Sequence, residues 1–120
     1  MFKWFNSNTH ELSEKDCVCR AISTALRIPF DVTARLLDLV ADRWQCPTLC
    51  VCCYRHLLED VFGMTPIDAA GQTVGGIAST HLRDVVIVRI EGHLTVSVGG
   101  VVLDTWDCRG EVADCFWVCL

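Results

Sequence analysis

The last third of the chain carries the pattern of a small β-sheet, and this pattern limits the possible folds more than any other feature. Residues 85–90 (VVIVRI) are apolar and mostly β-branched, which is typical of a buried strand. Residues 93–98 alternate apolar and polar side chains, and the Gly99-Gly100 pair follows as a two-residue hairpin turn. Residues 101–106 form the predicted returning strand, and residues 115–119 (CFWVC) predict a last strand.

Three helices are predicted before these strands. The first covers residues 17–26 with Asp16 as its N-cap, because its apolar residues recur at helical spacing. The second covers about residues 31–43 and opens on Asp31 as another N-cap. The third covers about residues 47–63, with proline in its first turn and glycine after its end.

Apolar stripes predict the inner faces of the later helices. In the second helix the stripe consists of Val32, Leu36, Leu39 and Val40. In the third helix every fourth residue shares one face, namely Leu49, Cys53, Leu57 and Val61. Residues 64–84 predict a loop with one short helix at about residues 74–79, and residues 1–16 predict an irregular polar arm.

Helices followed by antiparallel strands indicate an α+β domain. The chain has 120 residues, which fits a single domain spanning residues 1–120 and leaves no room for two. Its hydrophobic fraction of 52% is enough to build a core, so we do not expect a disordered chain.

Composition narrows the classes of partner. The net charge of −5 at pH 7 disfavours binding to the phosphate backbone of nucleic acids. No apolar run approaches the ~18 residues of a membrane-spanning helix, and no secretory signal is visible. We therefore expect a soluble protein that binds neither nucleic acid nor membrane. The apolar C-terminal strand is compatible with a homodimer.

Nine cysteines are an unusually high number for a chain of this length. Because the count is odd, complete internal pairing is impossible. Without a secretory signal, free thiols in a reducing compartment are the expectation. Most of them are expected to fill the core as small apolar side chains.

Cys17 is the first residue of the first predicted helix, and His93 is the first residue of a predicted strand. At these positions a thiol and a base can act together. A thiol attacks a carbonyl only as the thiolate, and the positive end of a helix dipole at Cys17 stabilises that form. His93 opens a strand, from which its imidazole can take up the thiol proton. Arg20, one turn after Cys17, either raises the thiolate fraction through its charge or pairs with a surface carboxylate.

Counting the register across the hairpin adds Asp104 to this pair. Pairing about the turn places Val98 opposite Val101. It then places Thr95 opposite Asp104. His93 and Asp104 therefore share a face as diagonal neighbours, and the carboxylate can orient the ring. Taken alone, each residue has a simpler interpretation: a buried thiol, a strand-edge histidine and a solvated aspartate.

Two short motifs resemble a known family. The segment DCVCRAI, from Asp16, is similar to the D-C-x-x-R-A-I opening of small phage and bacterial proteins of papain-like fold. The segments GHLTV, from Gly92, and DTWDC, from Asp104, are similar to the G-H-x-x-V and D-T-W-D stretches of the same proteins. The pattern also resembles bacteriocin-processing and NlpC-like cysteine peptidases, and the resemblance covers about residues 6–120.

The resemblance implies a papain-like fold in which Cys17 is the nucleophile, His93 the general base and acid, and Asp104 the residue that orients the ring. It implies a cysteine peptidase or hydrolase that acts on an amide, isopeptide or thioester bond of a protein or peptide, without a cofactor or metal. Relatives place Gln or Asn upstream of the cysteine for the oxyanion, and here Asn8 is preferred over Asn6. The expected compartment is the cytoplasm, that of the host cell if the protein is phage-encoded.

Two other functions stay open. One is a catalytically inactive papain-like module that binds a host or viral protein. The other is a thiol-rich zinc-binding adaptor. Residues 46–53 contain four cysteines, and His56 could complete a set of four ligands with three of them. The same run has the C-x3-C-x2-C spacing of radical iron–sulfur enzymes, which need a much larger barrel domain. A thiol-rich helix face is the simplest interpretation of this run.

Overall fold

A computed structural model, which describes residues 1–8 and 16–119, has the mixture of helices and strands expected for an α+β domain. The α-helices are α1 (Cys17–Leu26), α2 (Phe30–Trp44), α3 (Val51–Arg55) and α4 (Val74–Thr80). A π-helical segment, His56–Val61, continues α3. The strands are β1 (Phe2–Trp4), β2 (Pro66–Asp68), β3 (Val85–Ile90), β4 (His93–Val98), β5 (Val101–Asp104) and β6 (Cys115–Cys119).

The six strands of the described residues form one sheet in the order β1-β5-β4-β3-β6-β2. The central strands pair in antiparallel fashion as predicted, but β1 pairs with β5 in parallel, with Phe2 opposite Val102. The prediction of an irregular arm is therefore wrong for residues 2–4, and residues 9–15 of that arm lie outside the described residues. Strand β1 forms because the edge of β5 offers it a pairing partner, and residues 2–4 have no local sequence pattern that indicates a strand. Strand β2, which pairs with β6, lies in the segment predicted as a loop.

The predicted hairpin register is confirmed. Val98 lies opposite Val101 across the diglycine turn, whose two residues have φ angles of 60° and 85°. Strand β5 ends at Asp104 rather than at residue 106. The reason is local: the carboxylate of Asp104 accepts the backbone N–H of Thr105 at 2.7 Å, which turns the chain away from the ladder.

Replacing Gly100 with Ala should destabilise this hairpin. Gly100 has a φ of 85°, and a Cβ atom added there would lie 2.6 Å from Cδ2 of Leu82. The left-handed backbone costs a non-glycine residue about 1–2 kcal/mol, and Leu82 must also move, so we expect the free energy of unfolding in urea to fall by at least about 1–2 kcal/mol. Gly110→Ala is the control, because a Cβ there meets nothing within 4 Å and φ is not in the left-handed region. An equal loss in both variants would contradict this explanation.

Helix α1 has the predicted bounds, and Asp16 occupies the predicted N-cap position without making the expected cap. Asp16 makes no side-chain cap hydrogen bond, and its carboxylate pairs with Arg20 one turn later. Helix α2 begins at Phe30, one residue before the predicted start, with Pro29 at its N-cap position. The predicted cap of this helix, Asp31, lies in the first turn instead, where its charge favours the helix dipole.

The buried face of α2 also differs from the predicted stripe. Thr33, Leu37 and Val40 are buried, whereas Val32 is 46% and Leu39 60% exposed. Apolar residues occur on more than one side of this helix, so its periodicity alone allows two orientations. Packing against α1 and the π-helical segment selects the observed one.

Helix α3 begins at Val51, later than predicted, and its continuation is π-helical rather than α-helical. Of the predicted stripe, Cys53 and Leu57 are buried, whereas Leu49 and Val61 are 42% and 51% exposed. The wider turn of the π-helix moves later residues off the α-helical face, which explains the loss of Val61 from the core. The short helix α4 lies where the sequence predicts it.

A packed core lies on each face of the sheet. On one face, α1, α2 and α3 pack over the largest buried side chains, which include Ile22, Leu37, Leu57 and Trp117. Helix α4 packs on the other face, where the buried side chains include Val74, Ile77, Val86 and Phe116. Since α1 packs against β4, the first residue of each element comes to lie near the other. Within the described ranges, no helix is long and apolar enough to cross a membrane.

Candidate active site

Helix α1 delivers Cys17 to the first residues of β4. The thiol of Cys17 lies next to the imidazole of His93, close enough for each side chain to shift the pKa of the other. Cys17 is half-buried, and both residues line the same cleft. The structure therefore brings together the thiol and the base that the sequence pattern pairs.

The pKa of the Cys17 thiol lies below its ordinary value of 9.0. Burial of the sulfur raises this pKa, but the hydrogen bond and the charge of His93, with the backbone groups of Leu94 and Val18, outweigh burial. The neighbouring thiol of Cys19 provides a contrast, because burial and nearby acidic charges raise its pKa to about 12. Of these two thiols on α1, Cys17 is the one prepared to ionise.

Asp104 holds the other side of the His93 ring. Its Oδ2 atom lies 2.7 Å from Nε2 of His93, which leaves Nδ1 of the ring for the thiol. Burial lowers the pKa of His93, but hydrogen bonds to Asp104, Cys108 and Cys17 raise it to about 11. Burial raises the pKa of Asp104, and the hydrogen bond from His93 reverses this and holds it below its ordinary value. The contacts in this row favour the imidazolium and the carboxylate, and they shift the thiol of Cys17 toward its thiolate form.

Arg20 lies behind Asp104 in the protein interior. Its Nη2 atom is 3.8 Å from Oδ1 of Asp104, and its Nη1 atom pairs with Oδ1 of Asp16. The Arg20 side chain is 10% exposed and both carboxylates are buried, so a surface carboxylate as partner is the wrong alternative. Arg20 joins the start of α1 to the end of β5, and this contact helps to set the separation between Cys17 and the His93–Asp104 pair.

Two further side chains surround His93. Cys108 is fully buried, and its Sγ atom lies 3.7 Å from Oδ2 of Asp104. The ring of Trp106 lies 5.0 Å from the His93 ring, centroid to centroid. His93, Asp104 and Cys108 offer three donor atoms within 4.8 Å of one another, a set that could also hold a metal ion. Sequence analysis missed Cys108 as a site residue, although it stands only four residues after Asp104.

Asn8 lies beside the site rather than in the cleft. Its Nδ2 atom donates to Oδ2 of Asp16 at 3.1 Å, and it is not among the described residues that line the cleft. Its oxyanion role stays a prediction. Backbone N–H groups at the start of α1 lie next to the thiol, since the backbone of Val18 contacts the Cys17 sulfur. The hydrogen bond from the N–H of Arg20 to the C=O of Asp16 is the first one of the helix, so the N–H groups before Arg20 are not used within the helix.

A cleft of about 460 Å³ opens in front of Cys17. This volume falls within the range of small-molecule and side-chain pockets. One wall comes from residues 49–51 and Tyr54 at the start of α3, and the other comes from the turn between β3 and β4. Most of the lining side chains are apolar, so the cleft fits an apolar group next to the thiol.

Two polar side chains of the cleft were not foreseen from the sequence. Burial raises the pKa of the Tyr54 hydroxyl to about 12, although the nearby guanidinium of Arg89 lowers it. Arg89 also pairs with Asp114, with Nη1 and Oδ2 3.1 Å apart. Tyr54 and Arg89 come from different elements, so no spacing in the sequence indicates their proximity. Both can donate hydrogen bonds to a bound molecule.

Comparison of the chain with protein-family models, with curated proteins and with solved structures returned no match, so the chemistry of the site is inferred from its own geometry.

Proposed function

We propose that this protein is a papain-like cysteine hydrolase that acts on an amide, isopeptide or thioester bond of a protein or peptide. One observation carries the proposal: His93 contacts the thiol of Cys17 and, through Nε2, the carboxylate of Asp104, at the edge of a cleft. A nucleophile, a base and a group that orients the base are the components of nucleophilic acyl transfer.

In the proposed reaction the thiolate of Cys17 attacks the carbonyl carbon of the scissile bond. Backbone N–H groups in the first turn of α1 stabilise the oxyanion of the tetrahedral intermediate. The imidazolium of His93 gives its proton to the leaving amine or thiol, the scissile bond breaks, and an acyl-thioenzyme remains. A water molecule then gives a proton to His93 and attacks the thioester, which releases the acid and restores the thiolate beside the imidazolium.

The cleft supports a substrate with an apolar side chain near the scissile bond. Leu49, Val51 and Ile90 line it, and burying an apolar group against them is favourable. Arg89 and Tyr54 on the same walls can bind a carbonyl or carboxylate of the substrate. A domain of this size has room for few subsites, so a specific protein or peptide suits it better than proteins in general.

Alkylation resolved by residue tests the proposal. With iodoacetamide at mildly acidic pH, we expect Cys17 to be modified at least about tenfold faster than Cys19 or Cys52, because the rate follows the thiolate fraction. The pKa of Cys19 is raised to about 12 and that of Cys52 to about 11. Mass spectrometry of the digested protein, with fragment ions to separate neighbouring cysteines, gives the rate for each thiol.

In protein freed of metal by a chelator, Cys52 is the decisive internal control, because it is exposed to solvent and still has a raised pKa. Cys50 has a lowered pKa and is followed separately by its fragment ions. A Cys17 rate no greater than that of Cys52 would remove the hydrolase proposal. That result would favour the other function open from the sequence, an inactive module that binds a host or viral protein.

A further inference from the structure

Three thiols converge at the start of α3, next to the cleft, and a fourth lies beside them. The Sγ atoms of Cys46, Cys50 and Cys52 lie within 4.8 Å of one another, and those of Cys50 and Cys52 are 2.7 Å apart. The backbone N–H of Cys53 donates to Sγ of Cys50 at 3.3 Å, which places the fourth thiol next to the other three. We name these four residues the thiol cluster.

The thiol cluster is more exposed to solvent than a set of core side chains. Cys53 is fully buried, but Cys46 and Cys50 are half-buried and Cys52 is exposed. Burial of apolar surface therefore does not explain why three of these side chains meet. Convergent thiols at an accessible position are what a soft or borderline metal ion requires.

The backbone at the thiol cluster is arranged to stabilise negative charge on sulfur. The Sγ atom of Cys50 caps α3 and accepts the backbone N–H of Cys53 at 3.3 Å. Such N–H donors around a thiolate orient it and tune a bound metal. The carboxylate of Asp38 interacts with Cys53, and the chain as a whole carries a net charge of −5 at pH 7, so a cation is favoured here.

His56, the fourth ligand considered from the sequence, is engaged elsewhere. Its Nδ1 atom lies 2.6 Å from Oδ2 of Asp60, and its ring stacks on Trp44 with centroids 4.5 Å apart. Cys53 is in contact with the cluster instead. Its thiol donates to the C=O of Leu37 at 3.4 Å, and loss of the thiol proton would free the sulfur for a metal.

We propose that the thiol cluster binds one Zn²⁺ ion in tetrahedral coordination, with Cys46, Cys50, Cys52 and Cys53 as its ligands. Zn–S bonds of about 2.3 Å place the sulfur atoms of such a site about 3.8 Å apart. To reach this spacing, Cys50 and Cys52, now 2.7 Å apart, must separate by about 1 Å through rotation of the exposed Cys52 side chain, and the Cys53 thiol must turn from Leu37 toward the ion. Each thiol that coordinates the ion releases its proton to solvent.

Zinc at this position stabilises one wall of the cleft. Cys50 lines the cleft together with Leu49 and Val51, so its coordination holds the start of α3 in place. Because the ion binds the folded chain, its binding free energy adds to the stability of the fold. This site does not depend on the proposed hydrolase activity, and the two can fail separately.

Metal analysis of the purified full chain tests the site. After expression with zinc and reductant, we expect close to one zinc per chain by plasma mass spectrometry. Replacement by Co²⁺ should give the intense visible absorption of tetrahedral thiolate coordination. The double variant Cys50→Ser, Cys52→Ser should lose the metal, whereas Cys115→Ser, a thiol outside the cluster, should keep it. A chelator should lower the Tm of the native chain and leave that of the double variant unchanged.

Three results would contradict the proposed zinc site. The first is a zinc content well below one per chain in the native protein. The second is zinc retained by the double variant and lost in Cys108→Ser, which would assign the ion to the His93, Asp104 and Cys108 donor set. The third is the visible spectrum of an iron–sulfur cluster. If the double variant does not fold by circular dichroism, the single variant Cys52→Ser, at an exposed position, takes its place.

Discussion

Replacing His93 with Ala should reduce turnover of an activated acyl ester, p-nitrophenyl acetate, by about a hundredfold to ten-thousandfold. Loss of the general base and acid accounts for a reduction of this size. The variant also loses the hydrogen bond and positive charge that keep the pKa of Cys17 below its ordinary value. Steady-state release of nitrophenolate measures the effect, with Cys17→Ser as the reference for complete loss of the nucleophile.

The pH dependence of Cys17 alkylation separates these two contributions. In the native chain the rate should rise with pH below the ordinary thiol pKa of 9.0, because His93 favours the thiolate. In His93→Ala, two influences that lower this pKa are lost while burial, which raises it, remains, so the rise should move to higher pH. His81→Ala is the matched control, since His81 ends α4 and contacts Phe116 in the other core. A profile that stays in place in His93→Ala would refute the thiolate–imidazolium pair.

Replacing Arg20 with Met should lower the free energy of unfolding by about 3–5 kcal/mol, because it removes a buried positive charge that compensates two buried carboxylates, of which Asp104 then keeps His93 as its cationic neighbour. Asp16 and Asp104 are both buried, and Arg20 contacts each of them. Met keeps much of the packing volume, so the loss reports the charge. Urea denaturation at neutral pH measures it.

The pH dependence of this loss has a definite sign. The pKa of Asp104 is held below 3.8 in the folded chain, so its ionised contacts contribute stability above that pH and lose it as pH falls through the folded pKa. The difference between the native chain and Arg20→Met should therefore narrow in strong acid. Arg109→Met is the control, because Arg109 pairs with Asp107 on the surface. Equal destabilisation by both substitutions would show that burial of the Arg20 charge is unimportant.

The contact between His93 and Asp104 was open to prediction because it is local. A two-residue turn sets the pairing of the strands on either side of it, and alternation then decides which side chains share a face. Val98 lies opposite Val101 as expected, and His93 and Asp104 are in contact as diagonal neighbours. The bounds of α1, β3, β4 and β6 were predictable for a similar reason, since each has a strong pattern of its own.

The failures concern features that depend on distant partners. Strand β1 exists because β5 offers it an edge, and its three residues carry no strand pattern strong enough to show this. The buried face of α2 was mistaken because its apolar residues allow more than one orientation. Asp16 was assigned as a cap from its position before the helix, but Arg20 takes its carboxylate. In each case a tertiary contact outweighed a local preference.

By itself, the sequence determined the order of the α-helices and of strands β3 to β6, the hairpin register and the orientation of His93 by Asp104. From the sequence, Cys17 was linked to His93 and Asp104 only by a pattern and a resemblance. The tertiary structure decided the contact between Cys17 and His93. Packing of α1 on β4 brings the thiol to the ring, buries Arg20 behind Asp104 and leaves Cys108 beside it. The thiol cluster likewise depends on how the chain enters α3. The physical reason is that hydrogen-bonded register acts between neighbours in the chain, whereas the meeting of separate elements is decided by which apolar faces they bury together.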